Sequence, residues 1–318
     1  MARTWRNLWR DRKPEMAVIT AVILLTVAIV FGIRTKSNLP AEKPSKTLGE
    51  KKTPTIQKPS SESTEVDPYY KEAGVAIDER FEMEEPMVKE MPEVLETLKR
   101  MAEKSPLAKE IYDHHEDYPE ALLKLAANRV DSHSFVRHFN SRRGTTAPSL
   151  EESYPLERKF PLYIQWDPRW GYKEYPEDLF CTIACGPTTL AMLLNGYGFE
   201  TTPLDLMEEM RSNHRYVINF GTNWQGFTDT LKEKGFEVLP LAMVERKFLD
   251  HLKKGEPIVI NVGPSIFTNG GHYLLLVGTD ENGAIYMNDS HSIRHSKKPW
   301  TFEEIKPYIR AAWTIHQP

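Results

Sequence analysis

The feature that most constrains this chain is Met16–Ile33, eighteen consecutive residues without a charge. As a helix such a run is about 27 Å long, just enough to cross the apolar layer of a bilayer. Arg3, Arg6, Arg10, Arg12 and Lys13 precede it, whereas only Arg34 and Lys36 follow closely. That asymmetry predicts a cytoplasmic N-terminus, residues 1–15, a single-pass anchor at 16–33 and an extracellular remainder at the cell membrane. Neither a small-residue cleavage site nor a lipidation cysteine follows the run, so the segment reads as uncleaved.

Residues 34–85 are rich in Lys, Glu, Ser, Thr and Pro and poor in large apolar groups, the composition of a disordered linker. From residue 86 to 145 the apolar spacing turns helical, with Val94, Leu98 and Met101, then Leu107 and Ile111, then Leu122 and Leu125, then Phe135, Val136 and Phe139. This predicts a small all-α module, punctuated by Ser105-Pro106 and Tyr118-Pro119, with Asp131 or Ser132 capping its last helix. Four histidines lie in this stretch without metal-ligand spacing, so no metal site is expected. The net charge of −4 and the absence of a basic patch exclude nucleic acid as a partner.

Beyond residue 155 the pattern changes to helices followed by antiparallel strands, an α+β arrangement with predicted strands at 257–262, 272–277 and 284–288. Ahead of the strands lies Cys181-Thr-Ile-Ala-Cys185-Gly-Pro-Thr-Thr-Leu-Ala-Met, a cysteine at the start of an apolar helix. Pro187 suits a first helical turn, Gly186 permits close approach, and the unpaired N–H groups of a helix start favour a thiolate. A buried structural cysteine is the competing reading.

His272 opens one predicted strand and Asp289 closes the next, across the turn Asp280-Glu-Asn-Gly283. If the turn centres between Glu281 and Asn282, His272 faces His291 and lies diagonal to Asp289 on one face, within reach of their side chains. A turn centred on Asn282-Gly283, or a bulge, would alter that register. Cys185, His272 and Asp289 then supply a nucleophile, a base and a group that orients the base. His291 and His295 are rival bases, and Asn288 is a rival orienting group. Trp224, among small residues, and Gly271, beside the histidine, are candidates for contact with substrate. Trp166 and Trp170 are assigned to packing.

Gln165-Trp-Asp-Pro-Arg-Trp-Gly, Ala184-Cys185-Gly-Pro-Thr-Thr-Leu-Ala-Met, Gly270-Gly-His272-Tyr and Asn288-Asp289-Ser together resemble the successive motifs of C39-like, papain-fold cysteine peptidases. The resemblance implies a papain-like domain at 155–318 with the nucleophile's helix packed on an antiparallel sheet. It implies Cys185 as nucleophile, His272 as general base and acid, Asp289 as orienting acid and Gln165 as an oxyanion donor, with no cofactor. The expected activity is hydrolysis of peptide or protein substrates, including cell-wall peptides. Acyl transfer at cell-wall cross-links, or a non-catalytic binding domain, are the alternatives. Two departures stand out: Ser290 replaces the proline that often follows the acid, and Cys181 lies four residues before Cys185. A Cys181–Cys185 bridge would silence the nucleophile, whereas a free, half-buried Cys181 would not.

Overall fold

The structure is a computed structural model that describes residues 87–317 except Glu177 and Asn219. The basic segment, the apolar run and the linker read from the sequence lie outside those residues. Among the described residues no helix is long and apolar enough to cross a membrane.

Four helices come first: α1 (Met91–Ala102), α2 (Pro106–Asp113), α3 (Glu120–Asn128) and α4 (His133–Arg142). Ser105 caps α2 by accepting from the Ala108 N–H, with Pro106 at the first position, as its missing donor allows. The expected cap of α4 does not form. The Ser132 hydroxyl turns back to the Arg129 carbonyl, and the Asp131 carboxylate accepts from the Ile293 N–H at 3.0 Å, far along the chain. Asp131 thus serves the contact with the following domain, while Ser132 closes the turn that precedes α4.

That contact is extensive. Phe135 stacks on Tyr172 with centroids 4.4 Å apart and tilts against Trp166. Val94, Leu98, Ile111, Phe135 and Phe139 belong to the same apolar core as Trp166, Trp170 and Leu190. The four helices therefore share one continuous core with the next domain, and burial across that contact helps to stabilise them.

The rest comprises α5 (Phe180–Ile183), α6 (Cys185–Gly196), α7 (Pro203–Ser212), a two-residue ribbon β1 (Tyr216–Val217) and β2 (Gly221–Thr222), and α8 (Trp224–Glu233). Strands β3 (Glu237–Pro240), β4 (Ile258–Val262), β5 (His272–Thr279), β6 (Ile285–Asn288) and β7 (Ile309–His316) form one antiparallel sheet. Its order is β3-β7-β4-β5-β6. Helix α9 (Glu245–Lys253) and short helices α10 (Ile293–Lys297) and α11 (Phe302–Ile305) complete the fold. This is the mixed helix-and-antiparallel-sheet architecture anticipated for a papain-like domain.

Both faces of the sheet are covered, which explains the near-continuous apolar runs. On β5, Tyr273 and Leu275 join the core that contains α6, while Leu274 and Leu276 join a second core with Phe248 and Leu252 of α9. Helix α6 ends at Gly196, and Gly198, at φ +86°, takes the left-handed conformation that reverses the chain.

The β5–β6 register is half as expected. Leu275 pairs with Asn288 and Leu276 with Met287, as a turn centred between Glu281 and Asn282 requires. A bulge at Val277 then shifts the pairing, so Gly278 faces Tyr286. Asp280 organises the turn: its side chain accepts from the Asn282 and Ala284 N–H groups, and Gly283 takes φ +85°. The extra residue, Val277, lies on the turn side of the Leu275 and Leu276 pairs, so the register on the His272 side is preserved.

Candidate active site

Cys185 is the first residue of α6, half-buried and carrying a free thiol. Its N–H has no partner one turn back within the helix, as at every helix start. Gly186 is required by what lies over it. A Cβ there would run into the Thr222 side chain, so only glycine lets β2 pass across the helix start. Tyr273 fixes that ribbon, donating its hydroxyl to the Thr222 carbonyl at 3.2 Å while stacking on Phe227 at 4.5 Å.

His272, the first residue of β5, is buried at 3% exposure, and the Cys185 side chain lies near enough to help raise its pKa. Its Nε2 lies 2.7 Å from Asp289 Oδ1, which leaves Nδ1 as the nitrogen free for sulfur. Asp289 follows β6 and is fully buried. The sheet thus brings His272 to Asp289 as the register argument expects, and the start of α6 sets Cys185 beside His272.

Electrostatics reinforces the grouping. Burial alone would drive His272 towards neutrality, but the Asp289 charge and hydrogen bond, with a smaller contribution from Cys185, outweigh it and raise the imidazole to about 9. Burial likewise opposes ionisation of Asp289, yet the His272 charge and hydrogen bonds from His272 and His295 hold the carboxyl well below its ordinary range. An imidazolium on an ionised carboxylate is therefore the neutral-pH state.

The other candidates separate cleanly. His295, read as a rival base, bonds the second oxygen of Asp289 through Nδ1 at 2.7 Å and is packed edge-on against Phe267 and Trp300. The His291 ring lies 5.8 Å from that of His272, and its backbone N–H donates to Asp289 Oδ1 at 2.8 Å. Burial and the nearby Arg129 charge keep His291 neutral. Asn288 is committed elsewhere, donating to the Phe160 and Pro161 carbonyls and accepting from Arg158.

Gln165 is buried, and its Nε2 donates to the Cys181 carbonyl at 2.7 Å, in the turn leading to Cys185. A primary amide carries two N–H bonds, so one remains for another acceptor. Ser290, one of the two departures, tethers this glutamine: its carbonyl accepts from the Gln165 N–H at 2.8 Å and its hydroxyl reaches Oε1. Cys181 is free but fully buried rather than half-buried, and burial pushes its thiol pKa up.

A cleft of about 930 Å³ opens over Cys185. Trp224 and Gly271 both line it, as the sequence suggested; Trp224 is 46% exposed and rests edge-on against Trp313. Helix α3 lines it too, through Ala121, Lys124, Leu125 and Asn128, which no local pattern in the chain announces. Nor did it single out Arg129, a buried side chain that donates to the carbonyls of His291, Ile266 and Phe267 and so pins the loop after Asp289. Among the described residues one further group has ligand-like spacing, His251, Glu256 and His316, at the far ends of α9 and β7. It is not part of the cleft lining.

The Peptidase_C39 like family matches residues 157–316, half of the chain. Among solved structures, the peptidase domain of Streptococcus ComA, described as a bi-functional ABC transporter involved in quorum sensing, is similar at 19% identity. That alignment covers 43% of this chain and 93% of the ComA domain, with a TM-score of 0.36. Comparison with curated proteins returned no match.

Proposed function

The chain belongs to the Peptidase_C39 like family and is a cysteine peptidase; from that premise we propose that Cys185, His272 and Asp289 are its catalytic triad and Gln165 its oxyanion donor. The observation that carries the reading is the His272–Asp289 hydrogen bond at 2.7 Å beside Cys185, with His272 raised to about 9. The proton then already resides on the imidazole at neutral pH, so the acid is charged before substrate arrives and a cation stands beside the sulfur.

The thiolate sulfur attacks the scissile carbonyl carbon, and the C–S bond forms as the carbonyl electrons move to oxygen. That oxyanion is received by the remaining Gln165 N–H and the Cys185 N–H at the start of α6. As the oxygen electrons return, the C–N bond breaks and His272 passes its proton to the leaving amine. Neutral His272 next takes a proton from water, whose oxygen attacks the thioester carbon. The sulfur leaves as thiolate, the imidazolium is restored, and the product departs as a carboxylic acid that releases its proton to solvent as the carboxylate.

The charge asymmetry about residues 16–33 supports a membrane-anchored enzyme with its N-terminus in the cytoplasm and this domain outside the cell. Peptides or proteins at the cell surface, cell-wall peptides included, are the substrate class.

The test is alkylation of the purified full chain across pH, with the labelled site mapped by mass spectrometry. Cys185 should label rapidly below pH 8 and at least tenfold slower in His272→Ala, while buried Cys181 stays unlabelled. Labelling of Cys185 no faster than an ordinary thiol would sink the proposed nucleophile.

A further inference from the structure

The cleft over Cys185 carries a charge and polarity pattern that the proposed chemistry does not require. Two cations line it, Lys124 from α3 and Arg310 from β7, and no carboxylate does so among the described residues. The Arg310 guanidinium lies over Gly263, where any Cβ would displace it. Lys124 does have an ion-pair partner, Glu120, at 3.3 Å, but Glu120 is exposed and outside the lining. Such an exposed pair binds its lysine weakly and leaves it available to a ligand.

Apolar surface accompanies the cations. Phe220 is 78% exposed and Trp224 46%, and both line the cleft. Large aromatics left this open beside a concavity mark a surface that a ligand covers.

A third observation is independent of charge. Thr222 Oγ1 and Asn269 Oδ1 are buried atoms of the lining with no hydrogen-bond partner. Thr222 as a whole is only 8% exposed. The Asn269 amide is held by its other end, with Nδ2 donating to the Val88 carbonyl at 3.1 Å, so Oδ1 is left without a donor. A buried acceptor is costly to leave without a donor, and peptide N–H groups are donors of the kind that satisfies it.

Resting on the peptidase reading and deepening it, we infer that the cleft selects acidic peptides. The substrate is an extended segment whose N–H groups meet Asn269 and Thr222, whose large apolar side chain covers Phe220 and Trp224, and whose neighbouring carboxylates face Lys124 and Arg310. Ala121, Lys124, Leu125 and Asn128 fall at the i, i+3, i+4 and i+7 positions of α3, so a single helix face supplies this wall. The helical module is thereby a specificity element rather than a spacer.

The experiment uses the full chain bearing Cys185→Ala and three short fluorescent peptides of one sequence. One contains Phe and Leu among Glu residues, the second has every Glu replaced by Gln, and the third has Lys instead. Fluorescence anisotropy should show the Glu peptide binding roughly tenfold more tightly than the Gln peptide, less so at high salt, and the Lys peptide weakest. Lys124→Glu, an exposed-side-chain change, should reduce or reverse that ratio. Equal affinity for the Glu and Gln peptides, an unchanged ratio in Lys124→Glu, or no binding of any peptide overturns the inference. Hydrolysis by the unmutated chain is scored separately. Cleavage without charge preference overturns this inference but keeps the peptidase, whereas selective binding without cleavage keeps the cleft assignment and removes the triad.

Discussion

His295 Nδ1 lies 2.7 Å from Asp289 Oδ2, so the carboxylate that engages His272 is itself engaged, through its other oxygen, by a second histidine. Burial keeps His295 neutral, which makes Nδ1 a donor to the carboxylate rather than a competitor for its charge. Ser296 closes the arrangement by accepting from the Asp289 N–H at 2.9 Å.

His295 should therefore behave as a positioning residue. Replacing it with Phe removes one of the hydrogen bonds that hold the Asp289 carboxyl low, so that carboxyl rises. A hydrogen bond to a charged group is worth about 1.5–3 kcal/mol, so kcat should fall roughly tenfold or more while KM is kept. The acid limb of the kcat/KM profile should move to higher pH, which a merely structural role would not produce. An unshifted acid limb in a folded His295→Phe protein refutes the assignment.

The raised His272 gives stability a definite pH dependence. Its folded value of about 9 exceeds its ordinary 6.5, so the native state binds the proton more tightly than the unfolded chain. The resulting stabilisation is complete below pH 6.5 and is lost as pH rises through about 9. A gap of this size is worth on the order of 3 kcal/mol at most. Denaturant unfolding at pH 6 and pH 9.5 should show wild type losing more stability than His272→Ala over that interval. Equal losses would mean that the imidazole does not carry the shift.

Much of this site is legible in the sequence because strand alternation and turn chemistry are local. The turn residues Asp280 to Gly283 fix where the hairpin reverses, and the register they imply brings His272 towards Asp289 even though Val277 bulges. What escaped notice depends on distant partners. β7 lies between β3 and β4, yet its Ile-Arg-Ala-Ala start lacks apolar alternation, because Arg310 turns to the cleft and Ala311 needs only to fit. His295 has no spacing relation to Asp289, and its role arises only because α10 folds back under the capping Ser292. Asp131 looked like a cap because caps and interdomain acceptors use the same residue types, and its 162-residue separation from Ile293 has no local signature.

Gln165 offers a direct reading of the oxyanion site. Removing one such donor costs about a hundredfold to a thousandfold in kcat. Gln165→Ala should fall in that range with KM little changed, and Gln165→Glu should be no better, because a carboxylate repels the developing oxyanion. Alkylation of Cys185 needs no oxyanion and should stay within about threefold of wild type in both variants. A parallel collapse of alkylation and hydrolysis would instead make Gln165 a prop for the turn at Cys181, whose carbonyl it holds at 2.7 Å.

The strongest link between the helical module and the site is Arg129, which spends its donors on carbonyls rather than on a carboxylate. Its Nε reaches the His291 carbonyl at 2.9 Å, and one Nη reaches Phe267 at 3.0 Å and Ile266 at 3.2 Å, while Nη1 turns to Asn128 at 2.8 Å. The charges of Asp289 and Asp131 compensate a cation that burial otherwise penalises. Arg129→Met keeps the side chain's length and apolar stem but strands three carbonyls of the adjacent domain, each costing about 1–3 kcal/mol unless water replaces the donor. The variant should lose at least about 2 kcal/mol in denaturant unfolding. Hydrogen exchange should rise first in residues 265–268 and 290–292, the two loops that Arg129 joins, and hydrolysis should fall more than Cys185 alkylation because the loop after Asp289 relaxes. Faster exchange confined to residues 87–142 would show instead that Arg129 serves only the module's own fold.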